Sequence, residues 1–406
     1  MARTTELKLA MVDPAKCPLL AVVEDQRCKT PLKCNERSNV LCHELSSDIK
    51  VHLVNSAGCR GNGSEKRCCI DGQLSRGRLS RNFVFSPFAV HQALALLYLS
   101  KDNIKDHQLE RALELNELHQ EEILSFLGEA REKAVKEKFT LANRIYFSGD
   151  YNASQNITQI SEHLGVEVKN MTFSGGHSST EEIKNWLNKS INKAGFNLFG
   201  KKDINNSTRV VAVQGMSYSC VWKHREKAMT NRLFSYIRPN RKPFVYKVEM
   251  IYTEAPMEFF NEDQVRGVMV PFSNTDIGML VLLPRPRYST QQILQNLDKI
   301  LNIKLRAAEK THLFLPKFKV HETIDLNSAL KALGIKGLFT NGDIKPKSNA
   351  ASFKQYNSLD VDQNRVLMTI DVGSDFDDRV LYVNRGFVFV IKDQTTIYMV
   401  GRMDSI

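Results

Sequence analysis

The side chains able to do chemistry in this 406-residue chain are unevenly placed. Seven of the eight cysteines lie before residue 70, at Cys17, Cys28, Cys34, Cys42, Cys59, Cys68 and Cys69, and Cys220 stands alone. No pair has the C-x2-C spacing of a zinc site. The clustering points to local disulfides formed in an oxidising compartment, with the pairing left open. Cys220 sits in a strand-like run, where a cysteine behaves as a small buried hydrophobe. The ten histidines form no spaced cluster. "HETID" at 321 lacks the second histidine of a zinc-protease helix, and "GCRGNG" lacks the glycine order of a dinucleotide loop. No G-x-S-x-G or Walker loop occurs. Catalysis, a cofactor and a metal are therefore not expected.

Other residues suggest recognition rather than reaction. N-x-[ST] acceptors stand at Asn62, Asn152, Asn156, Asn170, Asn188, Asn205 and Asn206, which favours an extracellular, secreted glycoprotein. The start "MARTTELKLAMVDPAKCPLLAVVEDQ" shows no signal peptide: Asp13 interrupts it, and "PLLAVV" is shorter than an h-region of about 7–15 residues. The formal net charge is +11. The run "RPNRKPFVYK" (238–247) supplies Arg238, Arg241, Lys242 and Lys247 as candidates for holding a sulfated glycan or other polyanion. "RPR" (285–287) and "REKAVKEK" (131–138) are further basic runs. Aromatic interleaving and nucleic-acid motifs are missing, so DNA and RNA are not expected partners. No apolar run approaches the ~20 residues of a membrane span. A monomer is expected.

These residues need elements to hold them. Residues 1–38 read as a polar, cysteine-containing extension. Helical spacing runs over 39–58, and the Gly-, Ser-, Arg- and Cys-rich stretch 59–80 breaks it. "NFVFSP" (82–87) reads as a strand leading into a helix, with Ser86 as N-cap and Pro87 at the first helical position. "DHQLERALEL", "HQEEILSFLGEAREKAVKEK" and "STEEIKNWLNKSI" (178–191) read as helices, the last capped near Thr180. From about 208 the period becomes two. "STRVVAVQGMSYS", "FVYKVEMIY", "MEFFN", "VRGVMVPF", "IGMLVLLP", "HLFLPKFKV", "VLMTIDV" (366–372), "VLYVN", "FVFVIKD" and "TIYMVGRM" read as strands. "TQQILQNLDKIL" and "DLNSALKAL" are helices between them. Helices first and strands later argue for one α+β domain over 39–406.

The order of "NFVFSP", "FTLANRIYF", "STRVVAVQGMSYSCVW", "VRGVMVPF…IGMLVLLP", "THLFLPKFKV…DLNSALKALGI" and "GFVFVIKDQTTIYMVGRM" resembles the serpins over 39–58 and 82–406. The resemblance implies a single domain of three β-sheets and eight or nine helices. It marks Asn82, Ser86, Pro87, Trp222, Pro284, Pro316, Phe318, Gly334 and Gly401 as fold-signature positions, with Trp222 at the top of the large sheet. The chain departs from the family at Gln214 (usually asparagine), Cys220 (usually glycine) and Lys105 (usually threonine). The 22 residues 59–80 are an insertion relative to the family. They are either a disulfide-tied loop or non-coding sequence translated by mistake.

The resemblance also implies how function is decided. An inhibitory serpin offers a long loop to a protease, and after cleavage the first part of that loop enters the large sheet as a new strand. The hinge must then be small side chains, because alternate residues become buried. In "TIDVGSDFDDRVLYVNRGFVFVI" (369–391) only Gly373 keeps the hinge register. Ser374, Asp375, Phe376, Asp377, Asp378 and Arg379 then form a six-residue remnant before the next strand. Six extended residues reach about 20 Å. Burying their carboxylates unpaired would cost several kcal/mol each. The expectation is a non-inhibitory serpin-like protein with a binding, carrier or regulatory role. The alternative is a serine protease inhibitor cleaved at Arg379–Val380.

Overall fold

The computed structural model describes residues 82–100, 107–115, 118–149, 157–173, 177–192, 198–200, 203–224, 228–236, 242–339, 351–361 and 380–406. The extension 1–38, the helix expected at 39–58, the insertion 59–80, Lys105 and the strand expected at 366–372 lie outside them.

Strand β1 (Phe83–Phe85) passes straight into helix α1 (Pro87–Leu99). The Ser86 hydroxyl accepts the Ala89 N–H at 3.2 Å, and Pro87 occupies the first turn, where its missing N–H costs nothing. Ten of the 13 residues of α1 are buried. A helix apolar on all sides belongs inside, and α1 packs against both sheets. Helices α2 (His107–Ala112) and α3 (Gln120–Lys136) follow. Helix α3 is amphipathic, burying Ile123, Phe126, Leu127, Ala130 and Ala134. Its Glu122 carboxylate accepts the His119 N–H at 2.9 Å, one half of a capping box.

Strand β2 (Thr140–Ser148), helix α4 (Ile157–Leu164), strand β3 (Glu167–Met171), helix α5 (His177–Ile191) and strand β4 (Val210–Ser219) complete the first half. Helix α5 starts at His177, so Thr180 lies inside its first turn rather than capping it. The second half holds β5 (Ala228–Tyr236), β6 (Phe244–Asn261), β7 (Val265–Pro271), β8 (Gly278–Pro284), α6 (Thr290–Gln295), α7 (Leu297–Leu301), β9 (Arg306–Pro316), β10 (Phe318–Asp325), α8 (Asn327–Ala332), β11 (Ala351–Val361), β12 (Val380–Tyr382), β13 (Phe387–Lys392) and β14 (Ile397–Met403).

Three expected elements change shape. The single helix expected over 290–301 is two helices. The Asn296 side chain donates to Gln292 O at 2.9 Å and competes with the helix ladder there. "FVYKVEMIY" and "MEFFN" are one 18-residue strand, β6, with a register shift near Met257. "HLFLPKFKV" is two strands, because Pro316 ends β9 and Phe318 begins β10 in the other sheet.

The mixed α+β fold is as expected, with eight α-helices among the described residues, five of them before residue 192. The three expected sheets are joined into two hydrogen-bonded networks. A five-stranded sheet runs β10-β11-β4-β2-β3. A nine-stranded sheet runs β1-β14-β13-β8-β7-β6-β9-β12, with β5 also on β6. Strand β6 fuses two parts of it, pairing with β5 and β9 along most of its length and with β7 at its end.

The interior strands β11 and β4 of the five-stranded sheet are buried on both faces, so β4 reads as a nearly continuous apolar run rather than an alternating one. Val210, Ala212 and Met216 join the main core shared with α1. Val211 and Val213 face a second cluster with Ile183, Leu187 and Ile191 of α5. Gly215 lies on that second face, where an added Cβ would meet Leu187 Cδ1 at 2.7 Å and Ile191 Cγ2 at 2.9 Å. Only glycine lets α5 approach this closely.

Candidate functional site

The seam between β11 and β4 is where an added strand would enter. The two strands run parallel and pair over ten positions, from Ala351↔Val210 to Asp360↔Ser219. The other neighbour of each, β10 for β11 and β2 for β4, is antiparallel. The seam is lined with amides. Gln355 pairs in register with Gln214, and Gln214 with Asn143. The Gln355 Oε1 accepts the Ser86 N–H at 3.1 Å, and its Nε2 donates to Ser86 O at 2.8 Å. The Ser86 hydroxyl donates to Tyr398 O at 2.7 Å. Asn357 donates to Gln355 Oε1 at 2.6 Å, and Asn143 to Ala89 O at 2.9 Å. Gln214 is fully buried, and neither end of its carboxamide finds a hydrogen-bond partner among the described residues. A buried unsatisfied polar group costs about 1–3 kcal/mol.

Strand β11 itself was not expected. Its "ASFKQYNSLDV" carries buried Lys354, Gln355, Asn357 and Ser358, so it shows no apolar run. Lys354 is tolerated because its Nζ sits 2.7 Å from Asp203 and 2.7 Å from Asp325. The retrievable signal was Phe353, Tyr356, Leu359 and Val361 in an eleven-residue run with no glycine or proline.

Most signature positions hold termini and crossings. Asn82 accepts from the N–H groups of Asp404 (2.8 Å) and Ser405 (3.2 Å) and donates to Ser405 O (2.7 Å), tying the chain end to β1. Trp222, just past β4, bridges to Phe272 at a ring separation of 5.3 Å, and Phe272 meets Tyr218 at 5.0 Å. It joins the end of the five-stranded sheet to the nine-stranded one. Pro284 ends β8, an interior strand, and Pro316 ends β9. Phe318 packs edge-on to Phe387 at 5.5 Å. Gly334 follows α8 at φ +89°, a left-handed cap. A Cβ on Gly401 would strike the Phe389 ring and lie 2.5 Å from Phe83 O.

After Val361 the next described residue is Val380, so 362–379, 18 residues, connect β11 to β12. Gly373 through Arg379 fall in that stretch, outside the described residues, as do Arg238, Arg241, Asn62, Asn152 and Asn156. The described strand β11 ends at Val361, and both the strand expected before Gly373 and the six-residue remnant after it lie outside the described residues. Val380 is half-buried and paired with His312 in a strand parallel to β9, and Tyr382 stacks on Phe314 at 4.2 Å.

The architecture and the sequence meet in one comparison. The family model described as Serpin (serine protease inhibitor) matches residues 72–406. The chain is a serpin. Among relatives, it is 22% identical to neuroserpin of Gallus gallus over 289 residues, covering 67% of this chain and 70% of the other. In fold it is similar to Serpin48 of the insect Tenebrio molitor (TM-score 0.66, 20% identity, 80% of this chain and 92% of that one). It is equally similar to native protease nexin-1 with heparin (TM-score 0.65, 19% identity, 80% and 93%). At these identities the structures establish the serpin fold.

The remaining predicted positions are scattered over this serpin. Asn170 on β3 and Asn206 are exposed. Asn188 is half-buried with a buried Oδ1, and the Asn205 Oδ1 accepts the Ser207 N–H at 2.9 Å. Lys242 and Lys247 are exposed at the start of β6. Cys220 is buried, and burial pushes its pKa well up, away from reactive thiolate. Among the described residues no helix is long and apolar enough to cross a membrane.

Proposed function

We propose that this serpin does not trap proteases and serves instead as an extracellular binding protein whose ligand class is a polyanion, with no catalysis of its own. The observation that carries the reading is the chemistry of the residues leaving β11. A strand inserted between β11 and β4 would have its side chains enclosed, because both neighbours are buried on both faces. The residues that follow Val361 are Asp362, Gln363, Asn364 and Arg365. Enclosing an unpaired guanidinium costs several kcal/mol, and each unpaired amide adds about 1–3 kcal/mol. The seam already holds one amide, Gln214, with no partner among the described residues to offer. Small hinge side chains would avoid that cost.

A second reading, protease inhibition, is favoured by length. Eighteen residues extend to about 60 Å, ample reach for a protease cleft. Val366 to Ile370 are also good strand formers. Cleavage at Arg379–Val380 fits poorly, since Val380 is already held in β12 by its pairing with His312. An inhibitory bond would lie further upstream.

Secretion is supported by exposed Asn170 and Asn206 and by the clustered early cysteines. The polyanion is supported by the +11 charge and by exposed Lys242 and Lys247. The test is limited proteolysis within 362–379 followed by thermal melting. Strand insertion after cleavage would raise the melting temperature sharply. The proposal expects a nicked chain that melts no higher than the intact one, and a sharp rise would overturn it.

A further inference from the structure

The large apolar side chains left in water gather at one place. Among the described residues six are exposed, and three of them, Leu233 (58%), Phe244 (51%) and Val245 (51%), stand at one end of the β5–β6 ribbon. A fourth, Ile406, is tied to that end by Tyr246, whose hydroxyl accepts the Ile406 N–H at 3.0 Å and donates to Ile406 O at 3.3 Å. Apolar side chains exposed singly are ordinary on a protein surface, whereas a cluster of them marks a contact site.

The strand pairing explains the exposure. Strands β5 and β6 are antiparallel from Ala228↔Tyr252 to Tyr236↔Phe244. At the inner end both faces are covered: Ile251 joins the main core, and Met250 and Tyr252 join a separate cluster with Phe234 and Phe314. At the outer end neither face is. Ser235 opposes Val245 and Leu233 opposes Lys247, so Leu233, Val245 and Lys247 share one face. Phe244 belongs to the other face and is equally exposed. The ribbon therefore leaves the body of the molecule and carries its last residues clear of it.

Cations share this end. Lys242 and Lys247 are exposed, and neither forms an ion pair among the described residues. The next carboxylate along the face of Lys247, Glu249, is already engaged by Lys317 at 3.3 Å. A soluble polyanion would satisfy the lysines and leave Leu233, Phe244 and Val245 in water. A second copy would cover those three but bring another net charge of +11 against the first. An anionic lipid surface meets both needs, because its headgroups attract lysine and its acyl boundary takes up aliphatic and aromatic side chains. The long lysine stems suit that boundary, lying along apolar surface with the ammonium at headgroup level.

We propose that the outer end of the β5–β6 ribbon docks this serpin onto a bilayer that carries anionic lipids. Leu233, Phe244 and Val245 enter the acyl boundary, and Lys242 and Lys247 hold the headgroups. This rests on the polyanion reading above and names the polyanion as a lipid surface.

The experiment is co-sedimentation of the full chain with vesicles of mixed phosphatidylserine and phosphatidylcholine, and with vesicles of phosphatidylcholine alone. Thermal melting confirms that each variant folds. The wild type should sediment with the mixed vesicles and stay in solution with the neutral ones. Lys242→Gln/Lys247→Gln should weaken binding about fivefold per lysine at low salt. Leu233→Ser/Val245→Ser should weaken it about tenfold, by a factor that added salt leaves unchanged. Phe244→Trp adds a reporter whose emission should shift to the blue on mixed vesicles. If the wild type binds mixed vesicles while the apolar pair changes nothing and the reporter does not shift, the ribbon is not the docking element and the proposal is overturned. Equal sedimentation with neutral vesicles would overturn the anionic requirement. If the folded wild type ignores both vesicles at low salt but is retained on a heparin column, the docking site is wrong and the polyanion reading survives. If it binds neither lipid nor heparin, both fall.

Discussion

Gln214 occupies the middle of a buried amide row, with Asn143 on one side and Gln355 on the other. Its carboxamide finds no partner among the described residues. Replacing it by the similarly sized Met should therefore stabilise the fold, by about 1–2 kcal/mol in a urea melt. A loss of stability would mean that the amide is satisfied in solution. Two acid-sensitive groups act elsewhere. Burial opposes the charge on Asp393, but Lys133 at 2.9 Å and the N–H groups of Thr395 (2.7 Å) and Thr396 (2.6 Å) outweigh it and hold the carboxyl below its usual range. A folded pKa below the unfolded one gives stability that is complete above about pH 4 and is lost as pH falls through the folded value. Burial lowers His91 from 6.5 to about 4. Its contribution is complete above pH 6.5 and is lost as pH falls from there toward about 4. Melting temperature against pH should accordingly show two falling limbs. His91→Gln should flatten the upper limb and Asp393→Asn the lower. A profile unchanged by either substitution would contradict these assignments.

At the scale of elements, the close approach of α5 to β4 depends on Gly215. Gly215→Ala places a methyl against Leu187 and Ile191, and overpacking of this kind costs about 1–3 kcal/mol. The paired variant Gly215→Ala/Leu187→Val should recover part of that loss in the same melt, and no recovery would place the strain elsewhere. Elements of this kind were legible where one residue type dominates a face. The amphipathic spacing of α3, the capped start of α1 and the apolar runs of β7, β8, β13 and β14 all lie where their patterns place them. Strand β11 was illegible because its burial is tertiary in origin: Lys354 is offset by Asp203 and Asp325, and Gln355 by Ser86.

The whole molecule is a serpin scaffold, and on the proposed reading the composition of the segment between β11 and β12 does not suit insertion. Its five-stranded sheet keeps a parallel seam between β11 and β4, and its second sheet fixes the far end of the segment at Val380. Eighteen residues separate β11 from β12 in sequence. On the proposed reading the obstacle is the enclosure of polar residues such as Gln363, Asn364 and Arg365, and it can be removed by design. Gln363→Gly/Asn364→Thr/Arg365→Ala should make insertion after cleavage more favourable, seen as a higher melting temperature in the nicked variant than in the nicked wild type. The same melting temperature in both would show that composition is not what limits insertion. The most direct measurement is incubation of the purified chain with a panel of serine proteases, read on a denaturing gel. The account predicts no reaction or plain cleavage, with fragments and free protease. A covalent band at the summed mass of chain and protease would contradict it.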